Sequence, residues 1–123
     1  MIAIGCDHGG YELKKEIEAY LDSRGLEYRD YGCDSTDSVD YPIYARKVAH
    51  AIVEGECERG ILICGTGIGI SIAANKVKGI RAALCTDCFC AEATRLHNDA
   101  NISGNGRPRG RSGTCPEDRR YVP

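Results

Sequence analysis

The chain has 123 residues, of which 42% are hydrophobic and 28% charged, and this composition fits one domain with a single core. A formal net charge of −2 at pH 7 gives no electrostatic reason to expect binding to nucleic acid or to an anionic membrane. No apolar run approaches the roughly 18 residues of a membrane span, and residues 1–5 lack the charged region that opens a signal peptide. We therefore expect a cytoplasmic protein.

Short apolar segments alternate with amphipathic ones along the first hundred residues. Strands are predicted at residues 2–5, 27–31, 61–63 and 80–85, and a fifth begins at residues 100–102. Helical patterns separate these segments. The alternation predicts a Rossmann-like α/β fold, a doubly wound three-layer α/β/α sandwich with a mostly parallel five-stranded sheet. Active residues are then expected where the strands end.

The predicted helices each have an apolar stripe and recognisable ends. Gly25 is placed to end the first helix, whose apolar residues share one side: Leu13, Ile17, Tyr20 and Leu21. We expect the charged residues between them to lie mostly in solvent: Lys14, Lys15, Glu16 and Glu18. Pro42 suits the first turn of the second helix, and Asp87 suits the N-cap of a later helix that runs through Leu96.

The segment from Gly60 to Lys76 reads as a buried strand, a glycine loop and the start of a helix. The loop is Cys64-Gly65-Thr66-Gly67-Ile68-Gly69, and alternate glycines let the backbone turn sharply and approach a ligand. A helix N-terminus after such a loop presents unpaired N–H groups to an anion. The spacing fits neither the dinucleotide nor the Walker pattern. A tight turn with glycines present only for packing is the alternative.

Eight cysteines do not indicate a disulfide scaffold, because the alternating pattern supplies a core and the cysteines fall within strands and helices. The cluster Cys85, Cys88 and Cys90 is a weak zinc motif, since no second pair of ligands answers it. Reduced, buried thiols and no metal are the expectation.

The last 21 residues, 103–123, depart from this pattern. They hold five arginines and three prolines but no Leu, Ile, Phe or Met, so they cannot form an amphipathic helix. We expect two regions: an α/β domain at 1–102 and an atypical basic tail at 103–123, disordered or extended. A basic arm for nucleic acid is a weaker interpretation.

Five motifs stand in one order: 5–10 (Gly-Cys-Asp-His-Gly-Gly), 40–42 (Asp-Tyr-Pro), 60–69 with the glycine loop, 73–76 (Ala-Ala-Asn-Lys) and 97–101 (His-Asn-Asp-Ala-Asn). Together they closely resemble the type B ribose-5-phosphate isomerase family, which includes the galactose-6-phosphate isomerase subunits. The resemblance covers residues 1–102. It implies aldose–ketose isomerisation of a sugar phosphate without a metal or an organic cofactor, in a homodimer or a tetramer.

The resemblance also implies catalytic roles. The position of Cys64 is the family's base, which moves a proton between C1 and C2 through a cis-enediolate. Thr66 belongs to the anion hole around that intermediate, together with three amides of the loop: Gly65, Gly67 and Gly69. His97 corresponds to the acid that opens the furanose ring.

Further residues are implied to bind the substrate. Asp7 and Tyr41 correspond to positions that hold sugar hydroxyls, His8 to one that touches the phosphate, and Asn98 to one that binds the enediolate oxygen. Ser71 lies on the substrate-facing turn of the helix. The family's site lies between two subunits, so His97 and Asn98 would serve the partner's Cys64. Taken singly, Asp7 and His97 also fit helix caps, and Tyr41 fits core packing.

The tail is where the resemblance fails. The family continues with a Gly-Gly-Arg turn, whose arginine binds phosphate, and a final helix; here Arg107 falls one position early and Arg109 one late. From Asn105, codons can be chosen that encode that turn and helix one base later, so we interpret 105–123 as a frameshift product.

Three functions follow from these observations. The first is an isomerase of ribose 5-phosphate, with hexose 6-phosphates (allose or galactose) as alternative substrates. The second is a catalytically weakened sugar-phosphate binding protein, because the phosphate arginines are displaced. The third is a thiol-redox protein that uses Cys85, Cys88 and Cys90.

Overall fold

A computed structural model describes residues 1–33 and 40–106. Within these ranges the chain forms five strands, β1 (Ile2–Cys6), β2 (Tyr28–Asp30), β3 (Arg59–Cys64), β4 (Ala82–Leu84) and β5 (Ile102–Gly106). The α-helices are α1 (Tyr11–Ser23), α2 (Tyr41–Val53), α3 (Ile68–Asn75) and α4 (Cys88–Ala93). A 3₁₀ turn, His8–Gly10, precedes α1, and a π-helical turn, Thr94–Asn98, follows α4. None of the helices in the described ranges is long and apolar enough to cross a membrane.

The strands form one sheet in the order β2-β1-β3-β5-β4, and every neighbouring pair is parallel. This confirms the predicted α/β fold. β3 lies at the centre, where Cys6 pairs with Ile63 on one side and Cys64 pairs with Gly106 on the other. The chain turns outward in opposite directions after β1 and after β3. That switch point is where ligands bind in open parallel sheets.

Alternate residues of the strands face two separate apolar layers, as the period of two requires. Ile61 and Ile63 of β3 pack in one cluster with the α1 stripe, including Ile17. Leu62 and Cys64 belong to the other cluster, which contains side chains of α2 and α3: Ala45, Val48, Ala49, Ile70 and Ala74. Cys64 is thus part of the α2–α3 layer although it ends the strand.

Two charged residues of α1 are buried, and the prediction that they lie in solvent was wrong for both. Lys14 is fully buried and Glu18 is only 7% exposed. The Lys14 ammonium donates to both carboxylate oxygens of Asp30, at 2.9 and 2.7 Å, and to the Cys33 carbonyl at 2.5 Å. A helical pattern predicts which side a residue lies on, but not that the edge strand β2 brings a carboxylate to that side.

The last strand extends beyond the predicted end of the domain at residue 102. Ser103 to Gly106 continue β5 and pair with β3, and the side chains of Ser103 and Asn105 are buried. Ser, Gly and Asn have low β-propensity, but a position between two parallel strands outweighs it. The remainder of the predicted tail, from Arg107, lies outside the described residues.

Candidate active site

The glycine loop joins the end of β3 to the start of α3. Gly67 is the N-cap of α3 and has φ of 81°, in the left-handed region that favours glycine. A Cβ atom at Gly67 would lie 2.8 Å from the Asn105 carbonyl carbon and 3.0 Å from the Gly106 nitrogen. Glycine is therefore required here both for the backbone conformation and for the close approach of β5. The strand–loop–helix arrangement predicted from the sequence is confirmed.

Cys64 ends the central strand with its side chain only 5% exposed. The backbone N–H of Gly67 donates to Cys64 Sγ at 3.0 Å. The Gly67 amide, predicted to belong to an anion hole, therefore points at the sulfur in this structure. The exposed Thr66 hydroxyl oxygen accepts from the Ile68 amide at 3.1 Å, which fixes the loop.

The turn after β1 lies directly beside this loop. A Cβ atom at Gly9 would be 3.3 Å from the Gly65 nitrogen, so the two turns are in close contact. Asp7 is 8% exposed, and its Oδ1 accepts from the Gly10 amide at 3.1 Å. It therefore acts as a cap here, the alternative role that the sequence left open. His8 is exposed on the same turn.

Tyr41, at the start of α2, lies over the other end of the loop. A Cβ atom at Gly69 would be 2.9 Å from Cζ of the Tyr41 ring, and the tyrosine is 39% exposed. Beside the ring lies a cleft of about 220 Å³ between α2 and α3, lined by Tyr41, Pro42, Arg46, Ile72 and Lys76. Arg46 and Lys76 had no role predicted from the sequence, because only the packing of the two helices brings them together.

Ser71 was expected to face the substrate, but the structure buries it. Its side chain is 5% exposed, and the hydroxyl donates to the Gly67 carbonyl at 2.6 Å. Gly104 of β5 packs against the same hydroxyl. Ser71 therefore stabilises the loop through its bond to Gly67, and its hydroxyl proton is already donated within the chain.

His97 and Asn98 lie beyond the amino-terminal end of β5, whereas Cys64 lies at the carboxyl end of β3. They are exposed in the π-helical turn that precedes β5, whose first residue, Ile102, pairs with Gly60. Four residue steps of about 3.3 Å separate that pair from the pair formed by Cys64 and Gly106, roughly 13 Å along the strand. One chain therefore does not bring His97 and Asn98 to its own Cys64. Arg107 and Arg109 lie outside the described residues.

Three other cysteines, Cys6, Cys85 and Cys90, have thiols that favour the neutral form. Burial raises the pKa of Cys6 to about 12 and also raises the pKa of Cys85. The Cys90 thiol donates to Asp87, and this hydrogen bond raises its pKa. Neutral thiols react slowly, which disfavours the thiol-redox hypothesis. The Cys88 side chain lies outside the described part of the chain.

No group of three or more His, Cys, Asp or Glu side chains within residues 1–33 and 40–106 is arranged to hold a metal ion. For the described part of the Cys85 motif, the weak zinc motif is therefore not supported by the geometry.

A doubly wound sheet with a buried thiol over a glycine loop at its switch point defines a class of α/β proteins that bind small anionic molecules. The family described as Ribose/Galactose Isomerase matches residues 2–107. Ribose-5-phosphate isomerase B of Escherichia coli (strain K12) is 54% identical over 105 residues, covering 85% of this chain and 70% of that protein. A D-erythrulose-4-phosphate isomerase of Pectobacterium atrosepticum is 48% identical over 106 residues, covering 85% of this chain and 70% of that protein.

The solved structure of Clostridium thermocellum ribose-5-phosphate isomerase B superposes with a TM-score of 0.85 at 59% identity. The superposition covers 86% of this chain and 72% of that one. The chain belongs to the ribose/galactose isomerase family. It is an aldose–ketose isomerase.

Proposed function

We propose that the protein converts ribose 5-phosphate to ribulose 5-phosphate through a cis-enediolate, with Cys64 as the base. The observation that carries the proposal is the Cys64 thiol, which ends the central strand and accepts the Gly67 N–H at 3.0 Å. Relatives at 54% and 59% identity are named ribose-5-phosphate isomerase B, which supports this substrate.

The proton transfer needs one base and a stabilised oxygen. The Cys64 thiolate takes the C2 proton of the open-chain aldose, and the electron pair forms the enediolate. The same sulfur returns the proton to C1, while the hydroxyl proton passes from O2 to O1, so that the ketose has the same atoms as the aldose. Donors fixed at the loop stabilise the negative oxygen without reorganising, usually the largest contribution in such reactions. Thr66 and the amides of Gly65 and Gly69 are the donors proposed for this role.

The residues around the loop give each part of the substrate a contact. Asp7 and Tyr41 bind sugar hydroxyls from the two ends of the loop, and the exposed His8 contacts the phosphate. These assignments are supported by the contacts of Gly9 with Gly65 and of Tyr41 with Gly69.

The complete site requires a second copy of the chain. His97 opens the furanose ring and Asn98 binds the enediolate oxygen, but both lie at the edge opposite Cys64. Large apolar side chains are exposed near each half of the site: Ile68 and Ile72 on α3, and Phe89 and Leu96 on α4 and the π-helical turn. In a two-fold dimer the α4 surface of one protomer covers the α3 surface of its partner, and the reverse contact completes the second site.

The base is tested with Cys64→Ala and a panel of ribose, allose and galactose phosphates. Loss of the base should lower kcat by about 10²- to 10⁴-fold. Cys57→Ala is the matched control, because Cys57 is equally buried and lies beyond the other end of the same strand. Near-wild-type turnover by Cys64→Ala would contradict the mechanism. Binding of the panel without turnover by the wild type would support the weakened binding protein instead, and preferred turnover of a hexose phosphate would correct the substrate.

The shared site is tested by mixing Cys64→Ala with His97→Ala. Each variant alone should be nearly inactive. Half of the dimers formed at random are mixed, and each mixed dimer holds one intact site, so about a quarter of wild-type activity should return. Mixed dimers that form without any recovery of activity would show that both residues serve the same chain.

A further inference from the structure

The segment that carries His97 and Asn98 is a single π-helical turn, Thr94–Asn98. It ends at Asp99, whose φ of 51° lies in the left-handed region and whose N–H donates to the Thr94 carbonyl. Isolated π-helical turns are uncommon and often occur at functional sites. Aspartate tolerates the left-handed region better than most residues, but glycine would adopt it more easily. The carboxylate at this position therefore calls for a reason beyond the backbone conformation.

Two arginines converge on Asp99 from different elements. Arg81, which directly precedes β4, donates from Nε to the Asp99 carbonyl at 2.8 Å and from Nη2 to its carboxylate at 3.4 Å. Arg95, inside the π-helical turn, donates from Nη2 to the carboxylate at 3.1 Å and from Nη1 to the Ala100 carbonyl. We call these three residues the Asp99 clamp. Its bonds to main-chain oxygens fix where the backbone lies, which exposed ion pairs alone do not achieve.

The clamp is anchored to the edge of the sheet by Asn101. The Asn101 side chain accepts from the Arg81 amide at 2.8 Å and donates to the Gly79 carbonyl at 3.0 Å. The backbone N–H of Asn101 donates to the Arg81 carbonyl at 3.0 Å. Asn101 therefore fixes the backbone of Arg81, and the guanidinium of Arg81 in turn binds Asp99.

The side chains of His97 and Asn98 form no hydrogen bond with any residue in the described ranges, and both are exposed. Their direction is consequently set by the backbone of the turn. We propose that Asp99 is a positioning residue: through the clamp it holds His97 and Asn98 in the orientation that isomerisation requires. This inference rests on the catalytic roles proposed above for those two residues.

The first variants separate the carboxylate from the backbone conformation. Asp99→Gly keeps the left-handed turn but removes every carboxylate contact, and a misplacement of about 1 Å lowers catalysis by about 10²-fold. We expect kcat to fall by about 10- to 100-fold while KM changes by less than about threefold. Asp99→Asn, which keeps the size and one acceptor, should recover part of the loss. Glu58→Gln is the control, because it removes an exposed carboxylate just before β3 at the same edge of the sheet.

The decisive measurement places Asp99→Gly in a chain that already carries His97→Ala and Asn98→Ala. If Asp99 acts through these residues, the added loss in kcat should be less than about twofold, because coupled residues are not additive. A full 10- to 100-fold loss in that background would show that Asp99 supports the fold generally, and the inference would be overturned.

The same series distinguishes this inference from the proposed function. If His97→Ala and Asn98→Ala leave kcat unchanged, the roles assigned to those residues are wrong. If they reduce kcat and Asp99→Gly does not, only the positioning role is wrong. If circular dichroism shows that Asp99→Gly does not fold, Arg95→Gln replaces it, because this variant removes the ion pair between the partly buried Arg95 and the Asp99 carboxylate. It is tested with and without His97→Ala and Asn98→Ala in the same way.

Discussion

Replacing Lys14 by Met tests the buried charge cluster between α1 and β2. The substitution keeps the length and apolar stem of the side chain but removes the ammonium that contacts Asp30 and the Cys33 carbonyl. Asp30 would keep the Gly32 amide, which donates to its Oδ1 at 2.8 Å. The perturbation thus isolates the charge, because the volume of the core hardly changes.

The two halves of the pair should differ in how much stability their loss removes. Breaking a buried ion pair by removing one partner costs about 3–5 kcal/mol. The Lys14 side chain is fully buried while that of Asp30 is 24% exposed. Water can therefore solvate the Asp30 carboxylate when Lys14 is replaced, but it cannot solvate the Lys14 ammonium when Asp30 is replaced. We expect about 3 kcal/mol for Lys14→Met and about 5 kcal/mol for Asp30→Asn. At about 4 °C per kcal/mol, the melting temperature should fall by about 12 °C and about 20 °C.

Urea unfolding followed by circular dichroism measures these losses, and a third variant combines both substitutions. Because the double variant leaves no unpaired charge, its loss should be smaller than the sum of the single losses. Burial alone would raise the pKa of Asp30, but the Lys14 ammonium and the Gly32 amide outweigh it and lower that pKa. The stability contributed by the pair is therefore present above the unfolded pKa and is lost as the pH falls through the folded one. A loss below about 1 kcal/mol for Lys14→Met at pH 7, or additive losses, would refute this reasoning.

Three further outcomes are expected. Burial raises the pKa of Glu18, so its stabilising contribution exists below the unfolded pKa and is lost as the pH rises through the folded one; Glu18→Gln should raise the melting temperature at pH 7.5 but not at pH 4. Gly67→Ala should lower the free energy of unfolding by about 1–3 kcal/mol and remove most of the activity. Gly25 also has a positive φ, but a Cβ atom there would have no neighbour within 4 Å, so Gly25→Ala should lower stability without lowering activity. If the frame shifts at Asn105, restoring it should bury about four large side chains, each contributing about 1.5–3 kcal/mol, and raise both melting temperature and sugar-phosphate affinity; sequenced codons that cannot encode the shifted helix would end that hypothesis.

The glycine loop and its neighbours could be predicted because their information is local. The apolar run before Cys64 fixes a buried strand, and the glycines after it fix a turn into α3. The approach of the Asp7 turn then follows, since the ends of adjacent parallel strands meet at one edge of the sheet. The first two steps use residues next to one another in the chain, and the third uses only the general rule for the ends of adjacent parallel strands.

The residues that were predicted wrongly depend on distant parts of the chain. Glu18 is buried beside Asp30, and only the packing of α1 against β2 reveals this. The hydroxyl of Ser71 was expected to face the substrate, but β5, more than thirty residues later, covers it. His97 was not predicted wrongly, because the resemblance already assigned it to the partner's Cys64, and its separation from its own Cys64 follows from the register of β5.

The position of β5 also constrains how the molecule can be built during synthesis. Its neighbours, β3 and β4, are both synthesised earlier, but about 40 residues separate Gly60 from its partner Ile102. Until that strand emerges, the central strand of the sheet has an open edge, and β4 has no neighbour at all. Pairing over such a separation is slow because the intervening chain must be closed into a loop first. The interval before Ile102 is therefore when a nascent chain most needs protection from joining the edge of another copy.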